Sequence, residues 1–158
     1  MSTTFTCVAT GDWDDDATWG LTDSDYPGKS GATDDIVIID TANKTGGVGA
    51  LTVTMTADVE LAGMRIISVS ASHDATLADG GTERNITIND SNAPGGYSAR
   101  CEGYTEITGD INLIFTRNGT TTNLIDPSHQ TNKFNDITMN HANLVALQGS
   151  SISIKGNL

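Results

Sequence analysis

The chain has 158 residues and a net charge of −12 with a pI near 4.2, which bounds it to one ordinary domain with its own core. Only 8 of the residues are Lys or Arg, no contiguous basic patch exists, and phosphate-backbone recognition has no electrostatic support, so nucleic acid is excluded as a partner. No apolar run is long enough to span a bilayer, which excludes a membrane-spanning helix, and the start MSTTFTC carries neither the basic region nor the apolar stretch of a secretory signal. The expectation is therefore synthesis in a cytoplasm.

No stretch of a dozen residues repeats apolar positions at three and four, and Thr, Asn, Gly, Asp and Ser dominate, so the chain reads as all-β. In chain order the strands are predicted at Phe5–Ala9, Ile36–Ile39, Leu51–Met55, Met64–Val69, Ala75–Leu77 and Asn85–Ile88. They continue at Thr105–Thr108, Ile111–Thr116, Asp136–Met139, Leu144–Leu147 and Ser151–Ile154. In LTVTMT the residues Leu51, Val53 and Met55 share one face and Thr52, Thr54 and Thr56 the other, which predicts one buried and one wet side. Two polar loops are predicted, at 91–100 and 117–133.

Four later stretches echo one another: RNITIND (84–90), GDINLIF (109–115), FNDITMN (134–140) and SSISIKGN (150–157). Each places a short apolar alternation beside Gly, Asn, Asp or Ser, at irregular intervals. That pattern predicts a parallel β-helix, in which each turn of the chain adds a short rung to each of several sheets. A β-sandwich of short antiparallel strands is the alternative. The whole of 1–158 is read as a single β domain, with an acidic segment over 1–40 and rungs over 41–158.

The acidic segment holds nine Asp against Lys29 alone, −8 of the −12. Within it, Trp13 and Trp19 bracket Asp14, Asp15, Asp16, Ala17 and Thr18. Trp is costly to leave in water, so the rings are expected inside with the carboxylates facing out. The stretch GDWDDDATWGLTDSDYPGKSGATDDIVIID resembles the N-terminal signature GxWsdpaTW…P…DDVvI of bacterial and phage surface β-helix proteins, related to the glycine-eight domain of animal cell-surface proteins. Trp13, Asp15, Thr18, Trp19, Pro27, Asp34, Asp35, Val37 and Ile39 occupy the matching positions. It departs from that pattern at Asp16, where many members carry proline, and in the Asp-rich insert 21–26. The resemblance implies a right-handed parallel β-helix whose first rung is closed by a structural cap of Trp13, Trp19, Pro27, Asp34 and Asp35.

The resemblance also implies a milieu rather than a reaction. It points to a non-enzymatic structural component of a phage virion, such as a capsid decoration protein or the base of a fibre or spike. Such a protein is made in the host cytoplasm, works as a homo-oligomer and has capsid or tail proteins as partners. The other readings are a carbohydrate-binding adhesion module on an extracellular surface, using Tyr97 and Tyr104, and a glycan-degrading spike fragment. The carboxylate pairs Glu102 with Glu106 and Glu106 with Asp110 have no aromatic cluster beside them, so no catalytic residue is assigned. His73, His129 and His141 fall in polar turns without a nucleophile partner.

No cofactor is expected, with calcium as the alternative: Asp12, Asp14 and Asp16 alternate, and Asp34 is the expected fourth ligand if the two ends of the segment meet. Cys7 and Cys101, 94 residues apart, show no metal-ligand spacing and are read as isolated buried thiols. The ending SSISIKGNL reads as a rung, a corner and the first residue of another strand, which predicts either a longer protein or a partner over that end.

Overall fold

The computed structural model describes residues 3–89, 99–116 and 134–139. The predicted strands at 144–147 and 151–154, the loop 117–133 and most of the loop 91–100 lie outside the described residues. Twelve strands are described: β1 (Thr4–Thr6), β2 (Gly11–Asp12), β3 (Ile36–Asp40), β4 (Leu51–Thr54), β5 (Val59–Leu61), β6 (Gly63–Ile67), β7 (Ala75–Ala78), β8 (Arg84–Ile88), β9 (Ala99–Glu102), β10 (Thr105–Thr108), β11 (Ile111–Phe115) and β12 (Ile137–Met139). The remaining elements are short 3-10 turns, so the protein is all-β.

The strands form three four-stranded sheets, in the orders β1-β3-β6-β9, β2-β4-β7-β10 and β5-β8-β11-β12. All nine ladders among the described strands are parallel, an arrangement opposite to that of the antiparallel sandwich. The chain visits the sheets in rotation. From β3 onward each circuit contributes one strand to each sheet: β3, β4, β5, then β6, β7, β8, then β9, β10, β11. The first circuit, β1 and β2, has no described strand in the third sheet, and residues 13–35 connect β2 to β3.

Period-two alternation decides what faces inward. Register partners stack in columns, as with Phe5, Val37, Met64 and Ala99 in the first sheet and Val53, Leu77 and Ile107 in the second. The third sheet stacks Val59, Ile86, Leu113 and Ile137. Buried residues from all three sheets belong to one apolar cluster. Each fully buried Leu, Ile, Phe or Met contributes about 1.5–3 kcal/mol through water release. The outward Thr52, Thr54 and Thr76 remain half-exposed, as the LTVTMT pattern predicts.

Three strands lie where the sequence gives no strand signal. Gly11–Asp12 has no apolar residue, and Val59–Leu61 has too few residues to show alternation. Ala99–Glu102 begins inside the predicted loop 91–100: its inward residues, Ala99 and Cys101, are small, and its outward ones are charged. Arg100 forms an ion pair with Glu102 there. The predicted strand from Phe5 ends early, because Val8 and Ala9 both turn their N–H groups to the Thr18 carbonyl. Among the described residues, no helix is long and apolar enough to cross a membrane.

Cys7 and Cys101 are both free and buried. Burial pushes the Cys7 thiol up to about 11 and the Cys101 thiol up to about 12. A raised thiol pKa means that the fold favours the neutral form. This contribution to stability is complete below the ordinary thiol value of 9.0 and is lost as pH rises through about 11 to 12. A chromogenic thiol reagent at mildly alkaline pH should therefore find neither thiol in the native protein and both in denaturant. Fast labelling of the native protein would show that the first sheet opens readily.

Candidate functional site: the tryptophan-bracketed segment

After β2 the chain turns tightly, with the Asp15 N–H donating to the Asp12 carbonyl at 3.2 Å. A 3-10 helix follows at Asp16–Trp19. Its N-cap is Asp15, whose Oδ1 accepts from the Ala17 N–H at 3.0 Å. Gly20 ends it in the left-handed conformation, φ 70°, returning its N–H to the Ala17 and Asp16 carbonyls. This single turn points Trp19 back toward Trp13 while the neighbouring carboxylates face away.

Both rings are buried, at 1% exposure for Trp13 and 4% for Trp19. They meet edge to face, with centroids 5.3 Å apart and planes at 73°, and Trp19 meets Phe5 of β1 at 6.3 Å and 81°. Each indole N–H has a partner: Trp13 Nε1 donates to the Pro27 carbonyl at 2.9 Å and Trp19 Nε1 to the Trp13 carbonyl at 2.8 Å. The Trp13 N–H continues the β2–β4 ladder by donating to the Thr54 carbonyl. The two rings therefore pack beside the outermost strands of the first and second sheets.

Further along, the segment reaches the third sheet at Gly28. Pro27 is buried, and the Gly28 Cα approaches β5, where a β-carbon would sit 3.8 Å from the Val59 side chain. Leu21, Tyr26 and Val59 pack half-buried on the core. Asp35, 3% exposed, accepts from the Gly28 N–H through Oδ2 at 2.9 Å, and its carbonyl accepts from the Ala62 N–H just past β5. Four of the five sequence-derived cap residues, Trp13, Trp19, Pro27 and Asp35, are thus buried together; Asp34 is half-exposed.

The calcium set Asp12, Asp14, Asp16 and Asp34 is not brought together. Among the described residues, no group of three or more His, Cys, Asp or Glu side chains is placed to hold a metal ion. The physical reason is that Asp12 ends β2, Asp14 stands in the turn after it and Asp16 opens the 3-10 helix, so the three leave different backbone conformations, and the Asp16 Oδ2 accepts from the Ser24 N–H at 2.8 Å. Tyr104 is half-buried in the turn from β9 to β10, and Tyr97 lies outside the described residues. Glu102 and Glu106 sit in different sheets, and Glu106 accepts from the Thr76 hydroxyl at 3.4 Å. His73 bonds through Nδ1 to the Ser70 hydroxyl at 2.8 Å inside a local turn; His129 and His141 lie outside the described residues.

Sequence reasoning missed a polar ladder on the outer side of the third sheet. Asn112 Nδ2 donates to Asn85 Oδ1 at 3.0 Å and to Glu83 Oε1 at 2.7 Å, while Asn112 Oδ1 accepts from Asn135 Nδ2 at 3.0 Å and from the Asp136 N–H at 3.2 Å. Asn85 in turn donates to both carboxylate oxygens of Asp58. The signal was the echo of RNITI, INLIF and DITM, which stack in register as β8, β11 and β12. Asn112 is 8% exposed, and Asn112→Ala removes four hydrogen bonds to half-exposed or exposed partners, which together should cost about 1–3 kcal/mol in urea unfolding. A variant as stable as the parent would mean that water replaces the ladder without loss.

Compared with known family models, with curated protein sequences and with solved structures, the chain matches none.

Proposed function

We propose that the chain winds as a right-handed parallel β-helix closed at its first circuit by the tryptophan segment. On this reading it serves as a non-enzymatic structural component of a phage virion, as capsid decoration or the base of a fibre or spike. The observation that carries the reading is the place of residues 13–35. They stand between β2 and β3, where the first circuit has no third-sheet strand among the described residues, bring Gly28 against Val59 of β5, and bury Trp13, Trp19 and Pro27. A wound stack with an open end invites association through unpaired backbone and exposed core, so a closing segment belongs to a stem that must end cleanly. Parallel crossovers are right-handed in about 98% of cases, which supplies the hand. The resemblance to phage and bacterial surface β-helix proteins supplies the milieu, with other virion proteins and further copies of the chain as partners.

Mass spectrometry of purified virions, with copy number measured against the major capsid protein, tests the reading. A fixed stoichiometric ratio is expected. Absence from particles removes the virion role, specific binding on a glycan array favours the adhesion module, and products released from host polysaccharide favour the enzyme.

A further inference from the structure

Alternation turns Val37, Met64 and Ala99 of the first sheet inward, so Ile38, Arg65 and Arg100 point outward and stand in register across β3, β6 and β9. Two residues on, Asp40, Ile67 and Glu102 form a second outward row. All six are half-exposed, and the outward series of β6 runs on to Val69, which is 52% exposed. The other two outer faces are built differently, with Thr52 and Thr76 on the second sheet and Asn85 and Asn112 on the third. In a chain of net charge −12, the two rows balance two cations against two anions, a neutral patch on which like-charged copies can approach. Arg100 pairs with Glu102, but the Arg65 guanidinium has no partner among the described residues, and its Nε is sealed from solvent without an acceptor. An arginine among aliphatic side chains that still lacks its acceptor is the composition of a contact surface.

We propose that this face is the contact between two copies of the chain, packed sheet to sheet about a two-fold axis. An axis running across the strands between the two rows lays the Arg65 row of each copy over the Ile67 row of the other. Arg100 then meets Glu102 of the second copy, and Arg65 lies over Ile67 with Asp40 and Glu102 one strand spacing, about 4.8 Å, to either side. The patch is thus self-complementary, as a two-fold contact requires. Its described part, four strands wide and about five residues long, covers roughly 300 Å² per copy, against about 800 Å² in a standard stable interface. The pairing is therefore weak in solution and gains strength through repetition on a particle. It deepens the homo-oligomer reading above and rests on it, but not on the virion role.

Sedimentation equilibrium of the purified chain tests the contact. The wild-type mass should climb from 16.5 kDa toward twice that value between about 10 µM and 1 mM protein. Arg65→Glu sets a carboxylate among carboxylates and should weaken association at least about tenfold with an unchanged circular dichroism spectrum. Ile67→Cys should be joined into dimers by a short bismaleimide, and Thr52→Cys, on the second sheet, should not, the two native thiols being buried. A wild type that stays monomeric throughout overturns the proposal, as does association unchanged in Arg65→Glu or equal cross-linking at positions 67 and 52. A monomer that still sits on virions at fixed copy number would remove this contact and leave the virion role standing.

Discussion

Trp13→Ala is expected to destabilise the protein by about 3–5 kcal/mol, the range for removing an enclosed large aromatic side chain. The ring is 1% exposed, packs edge to face on Trp19 and anchors the loop at Pro27 through its indole N–H, so truncation opens a cavity and leaves the Pro27 carbonyl without its donor. Against a typical domain stability of about 5–15 kcal/mol, that is a large share. Urea unfolding followed by far-ultraviolet circular dichroism measures the loss, and iodide quenching of the native protein measures enclosure. Free access of iodide to both rings, or a loss below about 1 kcal/mol, would contradict the closed segment.

The second large effect is expected at Gly103, in the turn from β9 to β10. Its φ is +69°, and a β-carbon there would come within 2.2 Å of the Ser68 carbonyl oxygen, a backbone atom on the neighbouring circuit that cannot rotate away. Gly103→Ala adds a left-handed penalty of about 1–2 kcal/mol to an overpacking cost of about 1–3 kcal/mol. Gly81→Ala separates the two terms, because Gly81 has φ +82° but nothing within 4 Å of its β-carbon position. It should lose only the first. Equal losses in the two variants would show that the Ser68 contact yields at no cost.

The sequence carries the fold unevenly. Ile36–Ile39 and Leu51–Met55 announce themselves because their inward residues are large and apolar while their outward ones are polar or half-exposed. Ala99–Glu102 does not, since Ala and Cys are inward and the outward pair is Arg and Glu; its strand character comes from the register β6 imposes. Trp13 and Trp19 are legible as buried, for no other arrangement satisfies two indoles beside an acidic run. The fate of the carboxylates is not legible. Spacing in sequence suggests that Asp12, Asp14 and Asp16 share a face, but Asp12 ends a strand, Asp14 lies in a turn and Asp16 opens a 3-10 helix, so no one periodicity relates them. The close packing of the Thr18 hydroxyl on Gly11, where a β-carbon would come within 2.3 Å of it, is set by the turn and not by any pattern of residue types.

The rotation of the strands has a kinetic meaning. Among the described residues every ladder joins different circuits, and even the closest partners in sequence, such as Leu51 with Ala75 and Leu113 with Ile137, are 24 positions apart. With no hairpin ladder among the described strands to nucleate locally, loop closure must be met before these ladders form, which puts refolding among slow, high-contact-order domains. A strand emerging during synthesis waits for the next circuit before its hydrogen bonds have partners. Until then it presents an open edge to any other copy nearby. Yield on refolding should therefore fall with protein concentration, and vectorial synthesis, which lays circuits down one at a time, is the gentler route to the native chain.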